Sequence, residues 1–555
     1  MKRPWFLAVL VLLGTFLAGF VSLIAATNVL LSTSWLRKQI NASPEKTFID
    51  YARASSRWPG RVHLRGFSIR SRDRNVEWLA TLEEARIEVD LPALRKKRFH
   101  VRTLTGSGLS FRLRERLEPK EAESAATRAR AKDDPPIQGF SDPPLTGPPE
   151  PVDSAAELEK LWRVHIGRLS VAPVKEIWVD DFHYQGGGTL NGGFFLWPKH
   201  VGEVYPSTLT LDAGRLDLGK REVAVPFHGT VTCRLPHFEV AEYPGNEIWK
   251  IMTGEAMLTG ETHDLAFLGT VVGGPGAPRF EKGSGPLALK LDLKDGSGSA
   301  AVEFDLKRAE VHLEKVRLGG SVRGALLLRA LDFRRGTADL SGTFLDLKDV
   351  LAEGAGGSRA WWGRFDAAPA RFDMNRSNLS SHLAARCRDA RPLFALFDVD
   401  LPGWARGLLT LEGLKAQADV HLAHEALNLG ALHAAGGAFK IDGRYRKKGP
   451  SKNGAFLVQT SALDLGVKVD DAGIGLKLVG AKKWFEESGG RIGNADPSAP
   501  RNAAVVLSRP APAAQTRGIR SAPTSRSDRT RSSSPAGSRG DSSPRERAPE
   551  SRIRG

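Results

Sequence analysis

Few residues of this chain stand at spacings that do chemistry. His421-Leu422-Ala423-His424-Glu425 gathers two imidazoles and a carboxylate, the donors a zinc hydrolase uses. Their order fits neither H-E-x-x-H nor H-x-x-E-H, so the glutamate cannot stand beside a metal-held water, and exposed strand or loop histidines are expected. Gly186-Gly187-Gly188 and Gly192-Gly193 lack the Lys-Ser/Thr of a phosphate loop and read as hairpin turns. Asp180-Asp181 adjoins a strand, where neighbours leave on opposite faces, so the two acids do not cooperate. Cys233 and Cys387 lie far apart and form no metal-spaced cluster. No Gly-x-Ser-x-Gly elbow occurs. The chain is therefore expected not to be an enzyme, with no catalytic set, cofactor or metal.

The opening residues carry an address. From Trp5 to Leu31 there is no charged side chain, with Lys2 and Arg3 before the run and Arg37 and Lys38 after it. Such a run exceeds the ~20 residues that cross a bilayer as a helix, and it outlasts the apolar core of a removable signal peptide. It reads as a retained signal anchor, residues 1–31, with the bulk of the chain exported. Thr15 and Gly19 are a small-residue pair of the kind that supports helix association.

Charge argues against nucleic acid. The net charge is +17, but residues 489–555 hold thirteen Arg, no Lys and five acids, which leaves +9 for the rest. That Arg/Ser/Pro-rich tail has no apolar periodicity and is expected to be disordered; it either binds acidic surfaces or is unselected sequence.

Between anchor and tail the pattern is mainly β. Ser43 and Pro44 suggest the start of a short helix lined by Phe48, Ile49 and Ala52. Residues 32–114 then alternate as half-buried strands do, first in Val62 to Arg70, then in Leu82 to Leu91 and Val101 to Leu113. Residues 115–155, charged and then rich in paired prolines, read as a linker or long mobile loop. A short helix is expected near Ala155 to Trp162, and another at Pro392 to Phe397. Across 156–488 short strands recur between turns such as Asp295-Gly296 and Gly319-Gly320, which predicts an antiparallel meander and not βαβ units.

The first 115 residues resemble the AsmA-like family of bacterial envelope proteins, which is similar to translocation-and-assembly-module subunits and bridge-like lipid transporters. The carriers are the anchor, Val62-His63-Leu64-Arg65-Gly66-Phe67-Ser68-Ile69, Ala85 to Leu94 and Val101 to Phe111; Phe344 to Leu351 looks like a further strand-to-helix step. The resemblance implies an elongated antiparallel sheet curled into an open trough, a solenoid of strands whose apolar inner face holds lipid acyl chains. It also implies an address in the bacterial inner membrane, with the bulk of the chain in the periplasm. Expected partners are the inner-membrane bilayer, phospholipid or other acyl lipids as ligand, and envelope proteins.

The residues named for such a groove are Leu287, Leu289, Leu291, Leu293, Val302, Phe304, Leu306, Val311 and Leu313. Their alternation fits two readings, a lipid-contacting interior or the filled core of a β-sandwich. The second would leave a membrane-tethered scaffold that binds other envelope proteins. Trp178, Trp197, Trp361 and Trp362 stand either in a core or at a trough mouth or membrane surface.

Overall fold

The structure is a computed structural model. It describes residues 21–34, 37–38, 41, 47–72, 75–118, 134–146, 162–197, 200–240, 242–243, 245–271, 279–313, 316–353, 360–389, 413–423, 426–437 and 439–489. The chain divides into two units, 1–502 and 503–555, and every described residue belongs to the first.

Among the described residues, 26 strands form one sheet. At its start β1 (Thr47–Asp50) and β2 (Arg53–Trp58) share β3 (Arg61–Arg72), which pairs with β4 (Val76–Val89). Next, β5 (Arg98–Ser107) and β6 (Leu109–Glu115) lie along successive parts of β4. Parallel to them run β7 (Arg163–Val171) and β8 (Val174–Val179), and β9 (Phe182–Gln185) and β10 (Gly188–Trp197) return antiparallel.

From β11 (Val201–Leu218) the sheet is a meander. It continues through β12 (Arg221–Glu239), β13 (Thr253–Thr262), β14 (Arg279–Lys294), β15 (Ser297–Leu313) and β16 (Val316–Asp332). Both β17 (Thr337–Asp339) and β18 (Phe344–Glu353) bridge β16 to β19 (Trp361–Asp373). The last strands are β20 (Asn378–Cys387), β21 (Leu414–Ala423), β22 (Ala426–Gly436), β23 (Phe439–Lys448), β24 (Ser451–Thr460), β25 (Asp464–Asp470) and β26 (Gly473–Lys477).

Local chemistry explains the hairpins. Asp295 and Gly296 have φ of 49° and 75°, the paired left-handed turn whose twist suits two antiparallel strands, and Lys294 and Ser297 close it. Gly319 and Gly320 do not turn. They lie inside β16, where a side chain on Gly320 would meet the Val350 backbone at 2.8 Å. Gly186 and Gly187 are a break between β9 and β10, and Gly192-Gly193 is a bulge in β10, so neither is a hairpin.

Two further expectations are corrected. Phe48 and Ile49 stand in strand β1, not in a helix; β-branched Thr47 and Ile49 beside Phe48 suit pairing with β3. The described part of the expected linker is a strap. Residues 134–146 lie against β4 and β6 with Pro135, Ile137 and Pro144 buried, and Leu117 bridges Leu145. The prolines serve that role because a strap needs a fixed course and few ladder donors.

A helix covers residues 21–32, the last part of the uncharged run; residues 1–20 lie outside the described residues. Among the described residues no helix is long and apolar enough to cross a membrane. Residues 155–161, 392–397 and the basic tail beyond Gly489 also lie outside the described residues.

Candidate functional site

The register places the strands' apolar residues in rows across one face. One row runs Phe227, Gly260, Leu287, Phe304, Gly324, Leu345, Phe365, Ala385, Ala416, Ala434, Ile441, Val458, Leu465, each directly opposite the next. It crosses β12 to β25 without a polar side chain. A second row, Ile49, Ile69, Ala80, Phe111, Ile177, Tyr184, Leu216, Ala224, crosses the first half of the sheet. Tyr184 turns its hydroxyl onto the carbonyls of Gly187 and Asp212, at 2.6 and 2.8 Å.

The opposite face is charged and paired across strands. Arg61 meets Glu88 at 2.8 Å, Arg65 meets Glu84 at 3.1 Å, Arg112 meets Glu176 at 3.0 Å, and Lys290 faces Glu303 at 3.8 Å. Because side chains alternate, ion pairing on one face leaves the other apolar.

Seven of the nine groove candidates lie in one patch of β14 and β15. Leu287 opposes Phe304 and Leu289 opposes Val302, with Leu291 on the same face. The patch is closed at both sides. Leu293, 1% exposed, packs with Leu331, Ala338 and Phe333; Leu306, 5% exposed, packs with Leu265, Phe267 and Ala309. Between these stops Leu289 is 37% and Leu326 39% exposed. Val311 continues the face beyond a bulge, between Phe280 and Leu318. Leu313 ends β15 opposite Val316.

Among the described residues the apolar clusters on this face draw on neighbouring strands and on segments that join them, such as Leu265, Phe267 and Leu268 after β13, and no second sheet is packed on it. The opposite face is covered at two places. The helix Ala481–Glu487 sets Phe485 on Ala455 and Leu457, with the Trp484 ring over Gly466. The strap is fixed by Arg114, which is buried against Glu77 at 2.8 Å and donates to Ser141 O at 3.0 Å.

Pattern reading missed a polar cluster on the charged face. Ser110, Arg112 and Trp178 donate to Glu176; burial opposes ionisation there, yet the Ser110 and Arg112 hydrogen bonds hold its carboxyl below the usual range. His183 stacks on Trp178 at 3.7 Å, and burial pushes its imidazole down. No nucleophile–base–acid order results, since Glu176 and not a histidine accepts from Ser110. Glu281, Glu310 and His312 could gather round a cation, but Lys282 and Arg317 already neutralise Glu310, at 3.0 and 2.7 Å. The cysteines are free; burial pushes Cys387 up to about 12.

The aromatic and acidic candidates separate. Trp361 is buried and donates to Asp389 O at 2.9 Å, Trp362 is exposed, and Trp197 carries the Arg163 guanidinium over its ring at 3.9 Å. Asp180 caps the Glu115 amide from a turn and Asp181 is buried, so the pair does not converge. His421 is exposed at the end of β21 and meets Ser380 Oγ at 2.9 Å; His424 and Glu425 lie outside the described residues.

No family model, curated protein or solved structure matches this chain. The apolar face therefore stands on its own geometry as the candidate site.

Proposed function

We propose that the apolar face is a trough for lipid acyl chains and that the protein is a membrane-anchored carrier or shield for lipid. The observation that carries this reading is the unbroken apolar row from Phe227 to Leu465 on a face with no second sheet among the described residues. An apolar stripe of that extent, half-buried at eight of its thirteen positions including Phe227, favours an apolar occupant. Leu287 and Phe304 are half-buried, packed at one side against the cluster of Leu265, Phe267 and Leu306.

The energetics suit a passive device. A lipid with two ~16-carbon chains exposes ~32 methylenes, and at ~0.8 kcal/mol each its passage through water costs ~25 kcal/mol. Leu, Val and Phe side chains lower that barrier without bond making. The AsmA-like resemblance and the uncharged run before residue 32 favour the bacterial inner membrane as the anchor, the periplasm as the site of the sheet, and envelope assembly as the process served.

Photo-crosslinkers at Leu289 and Phe304 in membranes are expected to capture phospholipid. Capture of protein alone at every inward position would favour the scaffold reading, and capture of nothing would remove both.

A further inference from the structure

We infer that one rim of the sheet, the strand ends running from β2 to β11, is a docking surface for an anionic lipid bilayer. Register puts these ends side by side. Arg61 opposes Glu88, Val89 opposes Val101, Arg98 opposes Arg163, Leu196 opposes Val164, and Trp197 opposes Val201. The segments leaving them therefore share one side.

Their composition is that of a membrane interface. Trp58, Leu91 and Trp162 are 57%, 46% and 49% exposed there. Between them Arg95, Lys96, Lys97 and Arg98 are four successive exposed cations, and no acid among the described residues pairs with them. The nearest acids are already engaged, Glu88 with Arg61 at 2.8 Å and Asp90 with Arg102 at 3.4 Å. Exposed Trp beside unpaired Lys and Arg suits the headgroup layer, where indoles find both polar and apolar surroundings and cations meet lipid phosphate.

The course of the helix at 21–32 points the same way. Asn28 bonds Ser56 near the end of β2, whereas Leu31 O accepts from Tyr51 before that strand starts. Decreasing residue number along the described helix thus runs toward Trp58. Val21 and Leu23 are exposed at that end. An occupant of other chemistry, such as an acidic protein, would use the cations but not the three exposed apolar side chains. The inference rests on the anchored reading above for its direction of approach.

The opposite rim gives an internal control. Lys220 lies in the turn between β11 and β12, one strand length from Val201. Eighteen residues of strand put roughly 55 Å between the two ends.

The test uses the full chain with Cys233→Ser, reconstituted in vesicles of phosphatidylcholine with about one-third phosphatidylglycerol. A fluorophore is placed at Lys96→Cys or at Lys220→Cys, with a nitroxide on lipid headgroups as quencher. Quenching at position 96 is expected to exceed that at 220 by about threefold, and to fall to the level of 220 in high salt or in neutral vesicles. Arg95→Gln with Lys97→Gln and Arg98→Gln is expected to abolish the difference while leaving the melting temperature unchanged. Equal quenching at both positions, or a difference that survives salt and neutral lipid, overturns the inference. Capture of phospholipid at Leu289 in the same preparation, with no difference between 96 and 220, would remove the rim and leave the trough standing.

Discussion

The side-chain amide of Asn28 replaces a missing strand beside Ser56. It donates to Ser56 O at 2.7 Å and accepts the Ser56 N–H at 2.7 Å. Asn41 does the same for Ile49, at 2.8 and 2.7 Å. One edge of the sheet is thus plugged by two amides, which is one way to deny an open ladder to other chains.

Asn28→Ala is therefore expected to leave one donor and one acceptor of β2 without partners. Each unsatisfied group costs about 1–3 kcal/mol if it stays dry. Amide hydrogen exchange at Ser56 should accelerate, with Ile49 unchanged because Asn41 holds it separately.

Gly324 tests the packing of the apolar row. A Cβ there would lie 2.5 Å from Phe304 Cζ. Gly324→Val is expected to displace the ring and cost about 1–3 kcal/mol, seen as a lower melting temperature. Gly319→Ala, five strand positions nearer the start of β16 and with room around it, should be nearly silent.

The strap depends on Arg114. Removing one partner of a buried, hydrogen-bonded ion pair costs about 3–5 kcal/mol, because the other charge is left dry. Glu77→Gln should therefore destabilise the fold and expose residues 134–146 to protease. Arg112→Gln, on the half-exposed pair with Glu176, should do much less.

Acid should weaken the sheet in two steps. Burial lowers the His183 and His165 imidazoles below 6.5 in the folded chain, so the unfolded chain binds protons first as pH falls. Stability is then present above pH 6.5 and declines as pH drops toward the folded values. Glu176, also held low, adds a second loss below its ordinary 4.5. Melting temperature followed against pH should show both steps, and His183→Gln with His165→Gln should erase the first.

Much of this was readable from residue order. Leu287 to Leu293 alternate so regularly that strand and face follow directly, whereas from Val62 to Ile69 the strand is legible but the phase slips at Gly66, whose φ is 60°. The continuity of the apolar row was not readable, because it depends on which residue faces which across bulges such as that between Leu306 and Ala309. Nor was the strap, since Glu77 and Arg114 are 37 positions apart and nothing local announces their pairing. Pro135 and Pro144 looked like linker residues because proline marks irregular backbone whether or not it is buried.

Past β10, nearly every strand pairs with the strands next to it in order. Such a chain has short loops to close and no distant segment to await, so it can acquire order progressively, each hairpin templated by its predecessor while later residues are still being made. The same architecture localises damage. A lesion in β20 would unzip its neighbours before it reached β4, and the protein should melt in stages, from the β26 end backwards.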